Sequence, residues 1–95
     1  MRTLILALVA GTALIAQSAA NVDAELEKGR QLLQQREFVA ALKQYQRANQ
    51  VAGGKSADAF LGMALAAQGM KTWKNAVDFA QSAIENANGN ARLLA

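Results

Sequence analysis

The amino-acid sequence predicts an all-α protein built from two successive helical hairpins. Apolar residues recur at intervals of three and four rather than alternating, which is typical of helices with one buried face. The apolar pattern of the first hairpin returns 35 residues later, so the chain contains an internal repeat. With 95 residues, the sequence has room for one small domain.

The first twenty residues differ in kind from the rest of the chain. Arg2 precedes an apolar stretch from Leu4 to Ala16, which is shorter than the roughly 20 residues that span a bilayer. Ser18-Ala19-Ala20 then supplies the small residues that a signal peptidase requires. We predict a signal peptide over residues 1–20, cleaved after Ala20, and hence a periplasmic or secreted protein. An uncleaved N-terminal membrane anchor is the alternative.

The remainder, residues 21–95, is predicted to be one domain with repeats at 22–56 and 57–91. Each repeat divides into two helices, and Arg36-Glu37 marks the break in the first. Thr72 is a plausible N-cap for the fourth helix. Gly53-Gly54 and Asn88-Gly89-Asn90 are the predicted stops at the ends of the two repeats. The identities between repeats are Asp23/Asp58, Ala24/Ala59, Leu26/Leu61, Ala41/Ala76, Gln46/Gln81, Ala48/Ala83 and Gly54/Gly89.

Small residues at fixed offsets predict where antiparallel helices approach closely and receive large neighbours. They are Gly29, Ala41, Ala48, Ala64, Ala76 and Ala83. A unit of this length, with an aromatic residue near the start of its second helix, resembles the tetratricopeptide repeat. The resemblance implies an α-solenoid in which Phe38 and Trp73 pack inside their repeats. The chain departs from the pattern in having no Pro and no aromatic residue at position 80, and Gly62 and Gly69 offer a second register for the third helix.

Composition argues against several classes of function. The chain has no Cys and no His, which removes thiolate ligands, the commonest metal ligand and the usual general base. Its few carboxylates are scattered, so we expect no catalytic residues, no cofactor and no metal, and hence no enzyme. The ten basic and seven acidic residues are interspersed, without the basic cluster that a nucleic-acid interface requires.

The resemblance also implies a partner and a site. In tetratricopeptide proteins the first helices of successive repeats line a groove that receives a protein or peptide. Carried over by position, the groove residues are Arg30, Leu33 and Gln34 in the first repeat and Leu61, Leu65 and Gln68 in the second. The alternative reading of Leu61 and Leu65 is that they pack against the neighbouring helix.

The leading hypothesis is therefore an exported, non-enzymatic interaction scaffold that has no membrane contact after signal cleavage. The alternative is an accessory N-terminal region of a longer exported enzyme, such as a thioredoxin-like protein or a peptidase. Solenoid repeats normally need about three units, and residues 92–95 resemble the start of a third helix pair. The sequence thus predicts either a fragment or self-association through the helix over residues 73–87, which is apolar around much of its circumference.

Overall fold

The structure is a computed structural model that describes the backbone of residues 21–94 and the side chains of residues 21–87. Four α-helices make up most of this part of the chain. The helices are α1 (residues 21–34), α2 (Phe38–Val51), α3 (Ala57–Gly69) and α4 (Trp73–Leu94). Residues 21–94 contain no β-strand, so the predicted all-α fold class is confirmed. The predicted signal peptide lies outside the described residues.

The turns that follow α1 and α3 have the same backbone geometry, 35 residues apart. Arg36 and Lys71 adopt the left-handed conformation, with φ angles of 61° and 63°. In each turn this residue and the next donate their N–H groups back to the last turn of the helix, which satisfies carbonyl groups that the helix leaves unpaired. The bonds are Arg36 to Leu33 (3.0 Å) and Glu37 to Leu32 (2.9 Å), then Lys71 to Gln68 and Thr72 to Ala67 (both 3.0 Å).

The turn between α2 and α3 uses glycine instead. Gly53 and Gly54 have φ angles of 88° and 84°, which side-chain-bearing residues rarely adopt. Ser56 then caps α3, because its Oγ accepts a hydrogen bond from the Ala59 N–H at 3.1 Å. Asn49 Oδ1 accepts from the Ser56 N–H at 3.0 Å and so ties the end of α2 to the start of α3.

The core lies where α1, α2 and α3 meet, and it is built from a few large side chains among many small ones. Leu26 of α1, Tyr45 and Ala48 of α2, and Ala59 and Met63 of α3 form its buried cluster. The small residues predicted as helix contacts follow a gradient, since those in the first three helices are buried and those in α4 are half-buried. The buried ones are Gly29, Ala41, Ala48 and Ala64, and the half-buried ones are Ala76 and Ala83.

Aromatic residues of α2 pack on glycines of α3. A methyl group at Gly62 would overlap the Tyr45 ring, and one at Gly69 would overlap the Phe38 ring. Phe38 and Tyr45 are seven residues apart on α2, as Gly62 and Gly69 are on α3. Seven residues make two helical turns, so the members of each pair lie on the same face of their helix. Gly29 of α1 closes on the other side of Tyr45, where an added Cβ would lie 2.8 Å from the ring. The three helices can approach closely only because glycine occupies these positions.

A polar cluster joins α1 to α2 at the edge of this core. Gln44 Nε2 donates to the Glu25 carbonyl oxygen at 3.0 Å and also to its carboxylate. Arg47 Nε lies 3.5 Å and Lys28 Nζ 3.8 Å from the same carboxylate. Because the Glu25 side chain is only 12% exposed, these partners compensate for its removal from water.

The end of α4 differs from the prediction. The sequence predicts a stop at Asn88-Gly89-Asn90 and the start of another helix over residues 92–95, but α4 is continuous from Trp73 to Leu94. Asparagine and glycine are weak helix formers rather than absolute breakers, costing at most about 1 kcal/mol each relative to alanine. Their presence is therefore insufficient to end a helix.

Thr72 precedes α4 directly, as the predicted N-cap should. Its hydroxyl donates to the Ala67 carbonyl oxygen at 3.0 Å, the same acceptor that receives the Thr72 N–H. The Thr72 side chain thus fastens the start of α4 to the end of α3.

Candidate functional site: a groove between α1 and α3

An open groove of about 380 Å³ lies between α1 and α3, with Tyr45 of α2 beneath it. The two helices run in the same direction because each intervening turn reverses the chain, so their outward faces form two walls. Arg30, Leu33 and Gln34 line the α1 side, and Leu61 and Leu65 line the α3 side. Five of the six predicted groove residues are thereby brought together.

The sixth predicted residue, Gln68, borders a different depression. That depression has a volume of about 340 Å³ and lies between α3 and α4, where Leu61 and Leu65 also contribute. About half of each leucine is exposed, at 51% and 45%. These two side chains therefore connect the groove with the surface of α4.

Tyr45 forms the floor of the groove and is only 3% exposed. Burial of the phenol raises its pKa above the ordinary value of 10.0, since ionisation would place a charge in a poorly solvated position. The Arg30 guanidinium opposes this effect by favouring the phenolate, and the Glu27 carboxylate adds to it. The phenol thus stays neutral at physiological pH.

The groove carries charge of both signs at its rim. Arg30 Nε lies 3.0 Å from Glu27 Oε2 in an exposed ion pair one turn along α1. Asp58, in the first turn of α3, lines the same groove. Leu33, Leu61 and Leu65 line the groove together with the amide of Gln34. The surface thus combines apolar and polar side chains, as recognition sites commonly do.

Trp73 does not occupy the predicted core position. The sequence equates it with Phe38 and predicts burial within its repeat, but the indole is 59% exposed and borders the depression between α3 and α4. Phe38 is half-buried because α3, the helix after its hairpin, presents Gly69 to it. No described helix occupies the corresponding place beside Trp73. The equivalence of the two positions is local, whereas the burial of Phe38 depends on the following helix.

Sequence reasoning missed three residues of the groove, namely Tyr45, Asp58 and Gly62. One signal could have found two of them. Glycines seven residues apart in α3 match aromatic residues seven residues apart in α2, and equal spacings on adjacent antiparallel helices favour direct pairing. No comparable pattern points to Asp58.

Within residues 21–94, no helix has both the length and the apolarity required to cross a membrane. The described part of the chain also contains no grouping of acidic side chains arranged to hold a metal ion. Comparisons of the sequence with protein-family profiles, of the chain with characterised proteins and of its fold with solved structures found no match. Fold and site together define an all-helical protein with an open, mixed apolar and polar groove.

Proposed function

We propose that this protein is a non-enzymatic interaction scaffold of the tetratricopeptide type that binds a protein or peptide segment in the groove between α1 and α3. The observation that carries the proposal is the convergence of Arg30, Leu33, Gln34, Leu61 and Leu65 on one open surface. The identical turns after α1 and α3, 35 residues apart, support a repeat architecture of two helical hairpins.

The chemistry of the groove indicates what it would bind. Covering the half-exposed leucines with an apolar side chain of a ligand favours binding by about 25 cal/mol per Å² of apolar surface removed from water. Gln34 can pair with the N–H and C=O groups of a peptide backbone. Arg30 and Asp58 favour opposite charges at the edge of the ligand. The preferred ligand is a segment with apolar side chains at its centre.

A peptide display library panned against the full chain tests this function. We expect selected peptides to be rich in apolar residues and to bind the parent chain with an affinity that Leu65→Asp lowers at least about tenfold. Val39→Asp is the matched control, because Val39 is also exposed but lies on α2 away from the groove. Equal binding by the parent and both variants would overturn the proposal.

Export is part of the same proposal and rests on the pattern of residues 1–20. Expressed in a Gram-negative host, the protein should be recovered from the periplasm with Asn21 as its first residue. Intact-mass analysis that finds residues 1–20 retained on membrane-associated protein would favour the anchor instead.

A further inference from the structure

One face of α4 is apolar along four turns, and no other helix of the described residues covers its large side chains. It consists of Trp73, Ala76, Val77, Ala80, Ala83, Ile84 and Ala87, and we refer to it as the α4 face. Its three large members are 59%, 55% and 58% exposed, in the order Trp73, Val77 and Ile84. An uncovered apolar surface of this kind favours association.

We propose that the α4 face pairs with the same face of a second copy of this chain, antiparallel, about a two-fold axis at Ala80. Such an axis places residues equally far before and after Ala80 opposite each other. Trp73 then meets Ala87 of the second copy, and Val77 meets Ala83. Ile84 meets Ala76 in the same way. Every large side chain on the face is thus opposite an alanine, which makes the face complementary to itself.

The surface contains room for these large side chains. A depression of about 300 Å³ surrounds Ala83 and Ala87, where Trp73 of the second copy would enter. The depression of about 340 Å³ between α3 and α4 includes Ala76, which Ile84 of the second copy would cover. Leu61 of α3 borders both depressions and would widen the apolar contact.

Side-chain size favours the antiparallel arrangement over the parallel one. In a parallel pair related by a two-fold axis, each residue of α4 lies beside its own copy. Trp73 would then meet Trp73, and Ile84 would meet Ile84, so that large side chains would oppose large ones.

The expected dimer is weak. The α4 face is about 21 Å long, at 1.5 Å per residue, and about 10 Å wide, so its area is on the order of 200 Å², well below the roughly 800 Å² per partner of a standard interface. The dimer should therefore form only at high concentration. The proposal does not depend on peptide binding, because the α4 face contains none of the six predicted groove residues, although Leu61 of α3 borders both surfaces.

Sedimentation of the full chain over 10 to 500 μM, as an order-of-magnitude range for a weak interface, tests the pairing. We expect a reversible shift from monomer to dimer that Ile84→Glu abolishes and Val39→Glu does not. Val39 is a matched control because it is 59% exposed, as Ile84 is 58%, but lies on α2. A parent chain that stays monomeric, or an equal effect of the two variants, would refute the proposal.

Disulfide trapping tests the register and separates this interface from association through residues 1–20. The chain has no Cys, so single cysteines report unambiguously. Ala80→Cys should yield a disulfide-linked dimer on mild oxidation, at least about tenfold faster than the adjacent Gln81→Cys, because only the residue on the axis meets its own copy at disulfide distance. Equal rates at the two positions would mean that the pairing is not centred on Ala80.

Discussion

At the scale of single residues, the two largest aromatic side chains have opposite environments. Tyr45 fills the space between Gly29 and Gly62, whereas Trp73 is largely in solvent. Tyr45→Ala should cost about 3 to 5 kcal/mol because it empties a core site that glycines cannot refill. Trp73→Ala should change the free energy of unfolding by less than about 1 kcal/mol. Urea denaturation of both variants measures this, and an equally large loss for Trp73→Ala would show that the indole is buried.

The raised pKa of Tyr45 predicts a loss of stability at alkaline pH. In the unfolded chain the phenol ionises near 10.0, whereas burial delays ionisation in the folded protein. Its contribution is therefore fully present below pH 10 and decreases as pH rises through the folded pKa. As the chain has one Tyr, phenolate absorbance should show a midpoint above 10.0 that returns to 10.0 in denaturant. Tyr45→Phe should remove this part of the pH dependence, and a native midpoint at or below 10.0 would contradict the prediction.

At the scale of elements, the turns after α1 and α3 offer a direct gain in stability. Arg36 and Lys71 hold left-handed conformations that cost a side-chain-bearing residue roughly 1 kcal/mol relative to glycine. Arg36→Gly and Lys71→Gly should each stabilise the protein by about 1 kcal/mol. Arg36→Ala is the control for loss of charge and should bring no gain. Thermal melts in which glycine and alanine behave alike would exclude a left-handed residue at this position.

The continuity of α4 can be tested by whether one substitution raises or lowers the stability of the protein. Gly89 lies within the helix, where alanine is preferred to glycine by about 1 kcal/mol. Gly89→Ala should therefore raise helical circular dichroism and the melting temperature. If Gly89 instead ended the helix in a left-handed conformation, as the sequence suggests, the same change would lower both.

Helix positions and turns are the features that sequence reasoning predicts well here. The break at Arg36-Glu37 and the glycine turn after α2 follow from local spacing, and both occur in the structure. The predicted end of the fourth helix at Asn88-Gly89-Asn90 is wrong, because weak helix formers do not stop a helix whose other residues favour it. Local signals locate most elements, but their energies are too small to fix every boundary.

At the scale of the whole molecule, the groove and the α4 face are connected through α3. Leu61 lines the groove and both depressions beside α4. A ligand and a second copy would therefore compete for part of the same side chain, and each should weaken the other's binding by the same factor. Reasoning from repeat positions identified most of the residues that line the groove, because the first helices of the two hairpins lie side by side. The same reasoning could not predict which helix faces remain exposed, because the burial of a side chain depends on how all the helices pack, as the contrast between Phe38 and Trp73 shows.

The exposed position of Trp73 also gives the molecule an optical reporter. It is the only Trp in the chain, so all indole fluorescence arises from the first residue of α4. An indole that is 59% exposed emits near the wavelength of indole in water. Emission that moves to shorter wavelength would signal that another surface has covered the α4 face, and it would do so in the unlabelled protein at nanomolar as well as micromolar concentration.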